Sequence, residues 1–214
     1  MSEVGYYFDR IADEFNGYYT GQRPSFIQEI GYRVFRGPGL RKRFLDTTKI
    51  VGDCNGANIL DIGCGPGVYA QYFSKKGAYI TAVDVSQKMI ELAKKNLSEA
   101  GVKDFKLLQG DFLKINFDNQ FDYIIAIGVF DYVNRQDIDR YLDKMVRLAR
   151  GKVIVTFPKM FVVQAPIRLM LFRFKMQPVY FYTKKIIKDL ADRYGLKAFF
   201  HNSGPIWTVE FTKK

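Results

Sequence analysis

Three aspartates, each at or just past the end of a short apolar run, have the clearest chemical purpose in this chain. Asp61 lies in Asn58-Ile59-Leu60-Asp61-Ile62, Asp84 closes the run Ala78 to Val83, and Asp111 follows Phe105 to Leu108 and Gly110. A fourth run, Phe121 to Ile127, ends at Gly128. Open parallel sheets bind ligands past the carboxyl ends of their strands, so these residues mark one rim. An ionised carboxylate at Asp84 can accept from both hydroxyls of a ribose. Asp111 offers an acceptor to an adenine amino group, and Phe112 an apolar contact to its ring. Asp61 stands beside Gly63-Cys64-Gly65-Pro66-Gly67. There a carboxylate would repel a pyrophosphate but would accept from the ammonium of an amino-acid moiety. The glycines permit a tight turn and close approach of backbone to ligand. A dinucleotide site wants G-x-G-x-x-G; this loop reads G-x-G-x-G, with Val68 where the last glycine would fall.

The elements that must position this rim follow from periodicity. Strand-length apolar runs alternate with amphipathic segments: Val68 to Lys76, a Ser86-capped segment burying Met89, Ile90, Leu92, Ala93 and Leu97, and Asp137 to Ala149. A fifth run is Lys152 to Phe157. This alternation predicts an α/β chain with a parallel sheet and helices on both faces. The end differs: a helix over Thr183 to Tyr194 precedes a hairpin, Lys197 to His201 and Trp207 to Thr212, around Ser203-Gly204-Pro205. That implies an antiparallel edge. Before the sheet, Tyr7, Phe8, Ile11, Ala12 and Phe15 recur at helical spacing. A second helix is expected over Ser25 to Phe35, ended by Gly37-Pro38-Gly39, and a third over Leu40 to Ile50.

The segments Ile59 to Gly67, Val83-Asp84-Val85-Ser86, Gln109-Gly110-Asp111-Phe112 and Phe121 to Ile125 resemble the successive cofactor motifs of class I S-adenosylmethionine-dependent methyltransferases. The resemblance covers about residues 56 to 157. It implies a Rossmann-like, mostly parallel seven-stranded sheet with an antiparallel C-terminal strand. It also implies S-adenosylmethionine as cofactor, held by Asp61, Gly63, Cys64, Gly65, Gly67, Asp84, Val85, Met89, Gly110, Asp111, Phe112, Ile127 and Gly128. Tyr7-Phe8-Asp9 through Tyr19 resembles the lid helix of small-molecule members, making Tyr7 and Tyr19 candidates to close over the cofactor. The expected division is a helical lid segment over 1–52 and a methyltransferase domain over 53–214, with a basic insert at about 158–182.

Methyl transfer from a sulfonium is an in-line displacement with a good leaving group, so proximity and alignment supply much of the rate. A base is needed only for a poorly ionised acceptor. Tyr132, after the fourth run, and His201, the single histidine, are the candidate catalytic residues. The chain has a net charge of +11. Arg33, Arg36, Arg41, Lys42 and Arg43 form one acid-free cluster; Lys159, Arg168, Arg173, Lys175, Lys184, Lys185 and Lys188 form another. Such clusters point to an anionic partner. Neither the Pro-Pro-Tyr type motif of amino-methylating nucleic-acid enzymes nor a Pro-Cys pair is present, which argues against nucleic acid. A small or lipid-like, anionic acceptor with O-methylation is therefore expected. A narrower resemblance, to magnesium-protoporphyrin O-methyltransferases, rests on the Tyr7-Phe8 helix, the Arg-rich segment and the insert. There this chain has Tyr132 where that family has histidine. The segment Pro166 to Met176, apolar with three cations, leaves peripheral membrane contact open. The rival reading is a non-catalytic module that binds the cofactor and recruits a partner. No signal peptide, disulfide framework, metal site or membrane span is expected, and a cytoplasmic location is the default.

Overall fold

In the computed structural model the apolar runs become the strands of one sheet. The structure describes residues 3–20, 37–160 and 180–214. Its helices are α1 (Glu3–Thr20), α2 (Gly37–Val51), α3 (Val68–Ser74), α4 (Gln87–Glu99), α5 (Ile138–Leu148) and α6 (Lys184–Arg193). Its strands are β1 (Asn58–Ile62), β2 (Tyr79–Asp84), β3 (Phe105–Gln109), β4 (Phe121–Ala126), β5 (Ala149–Pro158), β6 (Leu196–Ser203) and β7 (Ile206–Lys213). The sheet has seven strands in the order β3-β2-β1-β4-β5-β7-β6. β1 pairs in parallel with β2 and β4, and β7 runs antiparallel to β5 and β6. The expected Rossmann-like α/β fold with its reversed C-terminal strand is therefore present.

The continuous apolar character of the central strands has a direct cause, since both faces of the sheet are covered. Successive residues of β1 point to opposite faces. Leu60 and Ile62 join Ile124, Phe130, Leu142, Met145, Phe157 and Ile187 in one core layer. Ile59 joins Phe73, Ile80, Ala93, Leu97, Ile125 and Ile154 in the other. α4 starts where expected, because the Ser86 side chain accepts from the Met89 N–H. Thr183 caps α6 in the same way through Ile186.

Two boundaries differ from expectation. Gly37-Pro38-Gly39, expected as a stop signal, forms the first turn of α2. A first turn has no use for the N–H that proline lacks. β5 begins at Ala149 rather than Lys152, pairing with Phe121 through a register shift. Gly151 sits in that irregularity, where an added Cβ would strike the Asp122 carbonyl. The helix expected over Ser25 to Phe35 and most of the basic insert lie outside the described residues. No helix among the described residues is long and apolar enough to cross a membrane.

Candidate cofactor and acceptor site

β1 ends on a carboxylate that the fold buries. Asp61 is 2% exposed, and its Oδ2 has no hydrogen-bond partner among the described residues. The Ala70 N–H supports the same carboxylate, yet burial, then the charge of Asp84, push its pKa up to about 8. A buried carboxylate with an idle oxygen fits a cationic donor. The loop that follows is fastened to the next strand. The N–H groups of Gly63 and Cys64 donate to the Val83 carbonyl at 2.7 and 3.1 Å. Gly63 and Gly67 have φ of 66° and 81°, a region L side chains resist. A Cβ on Gly63 would lie 2.5 Å from Val129 Cγ2, and one on Gly67 3.2 Å from Ala93 Cβ. Gly67 thus lets α3 start hard against α4. The Cys64 thiol is buried; desolvation, then Asp61 and Asp84, push it well above its usual range, so it is no thiolate nucleophile.

Asp84 knits the rim together. Its Oδ2 accepts from Gly65 N–H at 2.8 Å and its Oδ1 from Ser86 N–H at 2.9 Å. Burial raises its pKa while these donors pull the other way. Each oxygen keeps a lone pair for a further donor. The Asp84 carbonyl accepts from Gly110 N–H at 2.9 Å, and the Val85 carbonyl from Gln109 Nε2 at 3.0 Å. Asp111 forms a local turn, its Oδ1 accepting from Leu113 N–H at 2.9 Å. The ends of β1, β2 and β3 are therefore one hydrogen-bonded edge.

At the end of β4, Ile127 is buried and Gly128 turns the chain with φ 83°. The Gly128 N–H donates to Thr156 Oγ1 at 2.7 Å. A Cβ on Gly128 would lie 3.3 Å from Arg43 Nη1, so the α2 guanidinium rests against this turn. α1 crosses above. Phe8 meets the Tyr132 ring edge-on at 5.2 Å, and Tyr7 lies 6.5 Å from it. On the other side, Asp9 Oδ1 accepts from Ser86 Oγ at 2.5 Å and Lys88 N–H at 3.2 Å. α1 therefore bridges the turns after β2 and β4. The side chain of Tyr19 lies outside the described residues.

Residues 59–152 match the family model of a methyltransferase domain. The chain carries a methyltransferase domain of class I fold. It is similar to a magnesium-protoporphyrin O-methyltransferase of Rhodobacter capsulatus, 25% identical over 155 residues, 72% of this chain and 68% of that protein. It is 45% identical over 78 residues to a malonyl-[acyl-carrier protein] O-methyltransferase of Priestia megaterium, 36% of this chain and only 27% of that protein. The crystal structure of magnesium protoporphyrin IX methyltransferase from Synechocystis with bound SAH superposes with a TM-score of 0.79 at 17% identity, covering 99% of this chain and 98% of that one.

In this methyltransferase the sequence-derived candidates fall into three groups. Asp61, Gly63, Cys64, Gly65, Asp84, Val85, Gly110 and Asp111 share the edge just described, and Ile127, Gly128, Tyr132 and Tyr7 lie along its β4 side. Gly67, Met89 and Phe112 have packing duties. Met89 is 1% exposed, and the Phe112 ring packs on Phe117 and Tyr141 at 6.0 and 5.3 Å. His201 stands apart. It pairs through Thr208 with Thr156, but β6 lies three strand spacings from β4, about 14 Å. Its Nε2 is 3.8 Å from Glu210, which pairs with Lys152 at 2.9 Å. Asp9 and Arg43 were not singled out from the sequence. Asp9 read as one acid in an amphipathic helix, and nothing in the periodicity shows which cation of a basic cluster turns inward.

Proposed function

We propose that this enzyme O-methylates a small or lipid-like anionic acceptor, and the observation that carries the reading is the Arg43 guanidinium against Gly128. The residues present fit the cofactor. Asp61 would accept from its ammonium, the glycine loop would let backbone approach it, Asp84 would take the ribose hydroxyls, and Asp111 would take the adenine amino group. When bound, S-adenosylmethionine supplies a methyl on a sulfonium, a leaving group that needs no protonation.

The chain's own work is then positioning. Tyr7, Phe8 and Tyr132 pack ring on ring, and in this reading they would shield the transferring methyl from water. Arg43 favours the ionised form of an acceptor oxygen, which removes the need for a dedicated base. His201 has no part in this reading. The lid, in this proposal, is α1. O-methylation is also the activity in the names of the Rhodobacter and Priestia relatives. A second reading, carboxyl methylation of a magnesium-protoporphyrin, is favoured by the extent of the Rhodobacter match. Arg43 would then face a propionate.

The test is transfer of labelled methyl to a panel of magnesium-protoporphyrin, phenolic carboxylates, their neutral amides and oligonucleotides. Label is expected on oxygen of an anionic acceptor, with Arg43→Gln raising its KM about ten-fold or more. Label confined to nitrogen or to neutral acceptors would overturn the proposal. Cofactor binding without transfer to any acceptor in cell extract would favour the partner-recruiting module.

A further inference from the structure

Where β5 leaves the sheet, two lysines stand against the chain's single tryptophan, and a third acts on one of them. Lys159, the residue after β5, is buried. Its Nζ donates to Asn202 Oδ1 and to the Gly204 carbonyl, both at 2.5 Å, and lies 3.8 Å from the Trp207 ring centroid. Lys184, the first residue of α6, brings its Nζ to 4.4 Å from the same ring and 5.3 Å from Phe200. Lys42, on α2, is near enough for its charge to act on Lys159. Burial, then Lys42 and Lys184, lower the Lys159 pKa. The carboxylate one turn along α2, Asp46, accepts from Ser203 Oγ at 2.5 Å. An ammonium has three donors and Lys159 uses two of them on these oxygens. Like charges held beside an aromatic wall favour an anion between them.

The cluster lies on the same rim as the transfer turn. β5 runs parallel to β4, Gly128 N–H bonds to Thr156, and Lys159 lies three residues beyond Thr156, about 10 Å along the strand. We infer that Lys42, Lys159 and Lys184, with the Trp207 indole, form a subsite for a carboxylate or phosphate at the end of the acceptor remote from the methylated oxygen. This rests on the proposed anionic acceptor and makes it more specific. The anion that is recognised is not the oxygen that is methylated, so the product keeps it. The acceptor must be long enough to join Gly128 to the cluster, with a flat or apolar body against Trp207.

Because Trp207 is the single tryptophan, its indole N–H resonance is one identifiable peak. Wild type would be titrated with inorganic phosphate, with biphenyl-4-carboxylate and with the neutral biphenyl-4-carboxamide. Saturable shifts of the indole peak are expected with an anion and not with the amide. A response to only one of the two anions would assign the subsite to that class. Lys184→Gln and Lys42→Gln, both at exposed positions, should each weaken the anion about five-fold or more, leaving S-adenosylhomocysteine binding unchanged. Equal shifts with acid and amide, no saturable shift, or unchanged affinity in both variants would overturn the subsite. Loss of anion shifts with cofactor binding and transfer intact defeats the subsite alone. Anion shifts in a protein that transfers no methyl to anionic acceptors would defeat the reaction proposal instead.

Discussion

At Asp61 the sheet holds a carboxyl group that water cannot solvate and no described side chain neutralises. Its pKa of about 8 stands above the ordinary 3.8, so ionising it works against the free protein. The sign follows. The neutral form is compatible with the fold, and stability is lost as pH rises from 3.8 through about 8. In the proposed role a ligand ammonium would reverse the preference by pairing with the carboxylate. Binding below about pH 8 must then release a proton, and S-adenosylhomocysteine affinity should strengthen by up to about ten-fold per pH unit approaching that value. Calorimetry at neutral pH in buffers of different ionisation enthalpy should register the released proton. In Asp61→Asn both the release and the slope should vanish, whereas a flat wild-type profile would contradict this role. The rim aspartates were legible because strand ends and glycine spacing constrain their place. The buried oxygen of Asp61 was not, since protonation depends on packing from α3 and on Asp84.

Among the elements, α1 is tied down by a contact 77 residues distant in sequence. Asp9 and Ser86 act together at the N-terminus of α4, Ser86 accepting from Met89 N–H and Asp9 from Lys88 N–H. Asp9→Ala should therefore cost about 1 kcal/mol of stability, as lost helix caps do. It should also speed amide exchange along α1 and at the start of α4, read by hydrogen-exchange mass spectrometry. Unchanged exchange in α1 would show that the helix is held by its aromatic side alone. Strand positions were readable because each apolar run is buried on both faces. Boundaries were less so. Gly37-Pro38-Gly39 carries both a stop and a start signal, and β5 gains three residues through a pairing irregularity that no local pattern announces.

For the molecule as a whole, the strand order brings the ends of β1, β2, β3, β4 and β5 to one rim, with α1 and α2 on it. The sequence motifs covered the first three strands well, because the residues proposed to meet the cofactor lie in contiguous stretches. The acceptor side was scarcely legible. On the proposed acceptor side, Arg43 and Lys42 come from α2, Lys159 from the end of β5 and Lys184 from the start of α6, and only the folded rim brings these separate segments near one another. The net charge of +11 pointed to an anionic partner without pointing to a place for it. The most direct test of the account is calorimetric titration of the full chain with S-adenosylhomocysteine, beside Asp84→Asn. One-to-one binding is expected, weakened about ten-fold or more in the variant, whose circular dichroism should still show the folded sheet. No binding by folded wild type, or equal binding by the two, would contradict the assignment of the rim.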